Sequence, residues 1–209
     1  MNNFHTSVLL KEVIDGLRVE KNKKYIDATL GGGGHSFEIL RLGGIVLGID
    51  VDEEAIGYVN GKWKVESRKL NVEEEKLTLV RGNFRDIHKI AHEHNFDPPV
   101  GGVAGIIFDL GVSSHQIETP TRGFSFQNVG ELDMRMDQEL GVRALDLIKI
   151  LTKGELYEIF SKFGEESRAW KIADAIVSAR SIKPIETKND LEKVVEKEVW
   201  RREAKSENA

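Results

Sequence analysis

The sequence predicts an α/β chain: half of a doubly wound parallel sheet, followed by a mostly helical unit. Three observations predict it. Over the first 112 residues, short near-continuous apolar runs alternate with helical patterns, as a parallel sheet covered on both faces requires. Four consecutive glycines, Gly31 to Gly34, stand between the first run and a helix. After about residue 112 the strand signal stops, and apolar positions recur only at helical spacing. These patterns divide the chain into domains at 1–112 and 113–209.

Each element has its own warrant. Leu10, Val13, Ile14 and Leu17 form a helical stripe. Tyr25 to Leu30 is the first strand, and Ser36 to Arg41 is a short helix behind the glycines. Ile45 to Ile49 is the second strand, ending in Asp50, with Asp52 as N-cap of a helix holding Ala55, Ile56 and Val59. Leu77 to Val80 and Val103 to Phe108 are the third and fourth strands. The stretch from Gly61 to Lys76, with five basic and four acidic residues, reads as a solvated surface excursion. Further on, Thr152 and Glu155 spell a capping box for a helix with Leu156, Ile159, Phe160 and Phe163, stopped by Gly164. Ala169, Ile172, Ala173, Ile176 and Val177 stripe another helix, and a last one begins near Asp190.

Composition narrows the function classes. Thirty basic against 35 acidic side chains leave 209 residues at −5, against attachment to nucleic acid or membrane by bulk positive charge. From Ser167 to Ala209 ten basic and eight acidic residues leave +2, most simply a solvated helix face. The absence of cysteine excludes disulfides, thiolate metal sites and cysteine nucleophiles. The N-terminus lacks a secretory pattern, and the longest apolar runs fall short of the roughly 20 residues of a membrane helix. The chain reads as soluble and cytoplasmic.

The chemistry gathers at strand ends. Glycines between a strand and a helix let the backbone turn sharply and approach a ligand. Asp50 stands 19 positions beyond Gly31, where a carboxylate can accept hydrogen bonds from both hydroxyls of an adenosine ribose. Together they indicate an adenosine-containing cofactor. No lysine follows the glycines, as a P-loop needs, and Ser36 stands where a dinucleotide fingerprint puts its third glycine. That weakens NAD without excluding it; S-adenosylmethionine, with no pyrophosphate, fits best. Phe84, after the third strand, reads equally as core or as an adenine contact. Asp109, ending the fourth strand, is placed to accept hydrogen bonds from an amine and orient its lone pair.

His5 to Leu10, Asp27 to Ser36, Asp109 to Gln116, Arg122 to Phe126, Leu132 to Asp137, Phe163 to Glu166 and Ala179-Arg180…Pro184-Ile185 resemble, in order and spacing, the bacterial MraW family. These are S-adenosylmethionine-dependent cytosine-N4 methyltransferases of small-subunit (16S) ribosomal RNA. The resemblance implies a Rossmann-like methyltransferase fold whose residues 113–209 form an inserted helical domain that helps hold RNA. It implies cofactor contacts from Gly33, Gly34, His35, Asp50, Phe84, Asp109 and Gln116, no metal, and Asp109 as the catalytic residue, accepting a hydrogen bond from the N4 amine. The expected partner is ribosomal RNA within an assembling or assembled small subunit, with a homodimer left open and no membrane. Arg122, Phe124 and Phe126 fit either a clamp on the target base or an anchor for the insertion. The family pattern continues beyond Ala209 with further strands, so the expectation is a sheet whose C-terminal strands are missing here. Two rivals stay open: an NAD-dependent oxidoreductase using the same glycines and Asp50, and a cofactor-binding fragment without catalytic activity.

Overall fold

The four apolar runs become β1 (Lys24–Asp27), β2 (Ile45–Asp50), β3 (Leu77–Arg81) and β4 (Val103–Ile107). All pair in parallel, in the order β3-β2-β1-β4, so the predicted α/β class and its parallel sheet are present. The computed structural model describes residues 7–97, 102–125 and 130–200. The chain divides into two compact units, Met1–His115 and Gln116–Ala209.

In the first unit, strand alternation sorts side chains onto two faces. Tyr25, Val46 and Leu77 lie in register across β1, β2 and β3 and face one core, with α1 (Leu10–Leu17), α2 (Gly34–Arg41) and α3 (Glu53–Leu70) laid over it. Ile26, Leu47 and Ile49 face the other core, beneath α4 (Ile87–Glu93), which contributes Ile90 and Ala91. The Asp52 carboxylate accepts the Glu54 amide, 3.1 Å away, and caps α3 as expected.

The supposed excursion from Gly61 is mostly helix: α3 continues through it to Leu70. Gly57 and Gly61 weaken helix propensity, but tertiary burial overrides it. Trp63 is buried, stacks on Phe37 at 5.9 Å, and donates its indole N–H to the Glu74 carbonyl at 3.0 Å. That bond ties the second half of α3 to the turn leading into β3.

The second unit contains α6 (Ala144–Ile150), α7 (Lys153–Lys162), α8 (Ala169–Ile182) and α9 (Lys188–Trp200); the short α5 (Ser114–Glu118) spans the boundary between units. Its core joins Leu132, Leu145, Ile148, Leu156, Ile172, Ala173, Ile176 and Ile185. The Thr152–Glu155 capping box is formed in both directions. Arg180 donates to the Ile148 and Leu151 carbonyls at 2.5 and 2.6 Å, satisfying acceptors that the end of α6 leaves free. Among the described residues, no helix is long and apolar enough to cross a membrane.

Candidate functional site at the carboxyl ends of the strands

In the order β3-β2-β1-β4 the chain builds outward from β1 to β2 and β3, then returns to β1's other side, so the order reverses at β1. In open α/β sheets, ligands lie in the crevice beyond the strand ends at such a reversal. Gly31 to Gly34 follow β1, Asp50 ends β2, Phe84 follows β3 and Asp109 follows β4, so these predicted residues share one end of one sheet. Gln116 lies on α5, in the second unit, and is buried.

The glycine turn is held by two carboxylates. The Gly31 amide donates to Asp50 Oδ2 at 2.8 Å, while Asp50 Oδ1 accepts from the Asp52 amide at 2.9 Å. Burial raises the Asp50 pKa above the usual carboxylate value, and the amides at Asp52 and Gly31 pull it back. Asp27 is buried completely: Oδ2 accepts the Ser36 hydroxyl at 2.7 Å and Oδ1 the Thr29 amide at 3.3 Å. Desolvation pushes its pKa up as well, against those two hydrogen bonds.

Gly33 has φ of +74°, a left-handed conformation that a side chain resists. A Cβ on Gly33 would lie 3.0 Å from Val59 and 3.1 Å from Phe37, and one on Gly34 only 2.0 Å from the Ser7 hydroxyl. At these two positions the missing side chain makes room for the protein's own packing, not only for a ligand. His35, in the first turn of α2, is 5% exposed, and among the described residues its Nε2 has no hydrogen-bond partner. A buried ring nitrogen left so is costly unless a ligand's polar atom completes it.

Phe84 is half exposed and meets Phe108 edge-to-face, their centroids 5.8 Å apart. The pair forms an apolar surface at the strand ends, of the kind that receives a planar base. The Asp109 amide donates to Thr29 Oγ1 at 2.7 Å, bringing the loop after β4 against the loop after β1. His115 Nε2, in the first turn of α5, lies 3.2 Å from Glu54 on α3. Among the described residues no cluster of His, Asp and Glu side chains is arranged to hold a metal ion.

The sequence matches the MraW methylase family over residues 2–208, nearly its whole length. The chain belongs to the MraW methylase family. It is 40% identical over 194 residues to a protein of Lachnospira eligens named ribosomal RNA small subunit methyltransferase H, covering 91% of this chain and 58% of that one. Proteins of the same name from Carboxydothermus hydrogenoformans and Bacteroides fragilis are 41% and 39% identical, over 88% and 99% of this chain and 56% and 64% of theirs. The chain thus spans between 56% and 64% of the length of these MraW relatives.

Two motifs of the MraW resemblance come together in the second unit. Arg122, open in the sequence between clamp and anchor, is 1% exposed and donates to the Arg135 and Met136 carbonyls at 3.3 and 2.9 Å. It anchors its own neighbouring loop, where Arg135 folds back on Asp133 at 2.7 Å. Phe124 is half-buried in the same turn, while Phe126 lies outside the described residues. Sequence reasoning missed Thr29 and Phe108. Phe108 adjoins Asp109, and Thr29 lies within the Asp27 to Ser36 motif just before the glycines; those strand-end positions were the available signal.

Proposed function

We propose that the chain carries the cofactor site, in 1–112, and a substrate-recognising part, in 113–209, of a cytoplasmic methyltransferase. The enzyme uses S-adenosylmethionine and methylates the exocyclic N4 of a cytidine in small-subunit (16S) ribosomal RNA. The observation that carries this reading is the meeting of the glycine loop with Asp109 at the order reversal of the sheet, in a chain of the MraW family. The relatives' names, which specify small-subunit ribosomal RNA, support the substrate. The His35 Nε2, without a partner among the described residues, supports a polar ligand at the glycine loop.

Asp50 would hold the ribose hydroxyls of the cofactor, Phe84 with Phe108 its adenine, and Gly33, Gly34 and His35 would line the remainder, with Asp109 and Gln116 further contacts. When bound, S-adenosylmethionine supplies an electrophilic methyl group on a sulfonium. The cytidine N4 is a poor nucleophile because its lone pair is delocalised into the ring. Asp109 accepts a hydrogen bond from N4–H and turns the lone pair toward the methyl carbon. The N–C bond would form as the S–C bond breaks, and the extra proton would then pass from the nitrogen to Asp109 or solvent, so no strong base is needed. The base must be unstacked to reach such a site.

The test is a calorimetric titration of the chain with S-adenosylmethionine, with NAD alongside, followed by methyl transfer from labelled cofactor to unmodified small subunits. Saturable S-adenosylmethionine binding that Asp50→Ala abolishes is the expected result. Binding of NAD alone would overturn the reading.

A further inference from the structure

The β1–β4 ladder ends early. The last backbone bond between the two strand ends runs from the Ala28 amide to the Ile107 carbonyl, at 3.0 Å. Beyond it, Phe108 rests edge-to-face on Phe84 but stays 49% exposed and Leu110 is 68% exposed, so the chain around Asp109 leaves the sheet only half-packed. The next tether is the hydrogen bond from the Asp109 amide to Thr29 Oγ1. Thr29 is itself fixed from behind, because its amide donates to Asp27, and Asp27 accepts the Ser36 hydroxyl from α2. A β-branched side chain has few χ1 choices, so a threonine fixed at its backbone presents its oxygen in a defined direction.

We propose that Thr29 is the positioning residue for Asp109: through its hydroxyl, the line Ser36–Asp27–Thr29 transmits the set of the glycine loop to the loop carrying the N4 acceptor. The inference rests on the proposed role of Asp109 for its functional meaning, though not for the tether itself. The side chain's task is geometric, as an acceptor 80 positions away in sequence. Valine keeps its shape and loses the acceptor; serine keeps the acceptor.

The experiment compares Thr29→Val, Thr29→Ser and Asp109→Ala with the parent chain, with melting curves to confirm folding. Hydrogen exchange at the Asp109 amide is the first readout. Removing one acceptor of ordinary strength speeds it roughly fivefold in Thr29→Val, and Thr29→Ser restores it. The second readout is the S-adenosylmethionine dissociation constant. It rises roughly fivefold in Thr29→Val, and adding Thr29→Val to Asp109→Ala brings no further rise, because the two act as one unit. Unchanged exchange in Thr29→Val, failure of serine to restore it, or additive losses in the double variant would each overturn the proposal. If the parent chain binds no S-adenosylmethionine, the proposed function fails while the exchange readout still decides the tether. Should Thr29→Val not fold, Thr29→Ala serves in its place.

Discussion

Replacing Asp27 by asparagine isolates the cost of a buried carboxylate at the centre of the glycine turn. Asp27 is fully buried, and desolvation raises its pKa above the usual carboxylate value. The folded chain therefore binds the Asp27 proton more tightly than the unfolded chain. Stability from this group is fully present below the unfolded value, near 3.9, and is lost as pH rises through the higher folded value. Across that window the loss is at most about 1.4 kcal/mol per pH unit, for one proton. Asparagine has the same shape and no charge. Its Oδ1 can accept the Thr29 amide, and its Nδ2 can donate to the Ser36 hydroxyl, which accepts as readily as it donates. Asp27→Asn is therefore expected to be more stable than the parent at neutral pH, the gap closing as pH falls toward 4. For a chain of this size a gap of about 1 kcal/mol is a shift of roughly 2–4 °C in Tm. Acids whose partners lower their pKa, such as Asp133 beside Arg135, Asp146 beside Arg143 and Glu155 at Thr152, lose their stabilisation as pH falls. They do so in both proteins alike, so the difference between the two melting curves, taken from pH 4 to 8, reports Asp27 together with its electrostatic coupling to Asp50. A variant less stable than the parent, by a margin that widens as pH rises from 4, would refute the reasoning. It would show that the hydrogen bonds to the ionised carboxylate outweigh its desolvation.

Two further perturbations test the second unit. Gly123 has φ of +76°, and a Cβ there would stand 2.6 Å from the Glu131 carbonyl oxygen and 2.8 Å from the Asp133 nitrogen. Gly123→Ala is thus expected to cost about 2–4 kcal/mol, from left-handed strain plus backbone displacement, read as a lower denaturant midpoint. Thr152→Ala removes the capping box of α7 and is expected to cost about 1 kcal/mol, with a matching loss of amide protection in its first turn.

The parallel sheet was readable because its strands are nearly pure apolar runs, buried on both faces in β1 and β2 though open on one side of β4, and the cap at Asp52 because a capping side chain is a local signal. Trp63 was not. Its burial depends on Phe37 and Glu74, residues distant in sequence, and the charges around it are those of an exposed segment. α6 was missed because seven residues are too few to show a period, and its first amides are met by the Leu132 and Asp133 carbonyls instead of a side-chain cap. At the candidate site, Asp50 and Asp109 were legible from their positions at strand ends. The bond between Thr29 and Asp109 was not, because it exists only once β4 lies beside β1. The sequence likewise left Arg122 open between two roles, since nothing in its neighbours announces that the carbonyls of a later loop will take its donors.

The strand order also dictates a sequence of events in folding. β1 finds β2 after a short crossover, with Lys24 opposite Ile45, but must wait for Val103 before it meets β4. Loop-closure entropy for a separation about four times longer adds roughly 1.2 kcal/mol to that second pairing. On a nascent chain the glycine turn and its Asp50 brace can therefore form while the segment bearing Asp109 is still being synthesised. The acceptor arrives after the turn and its brace, and a slow folding phase would delay its assembly before it disturbed the turn that receives it.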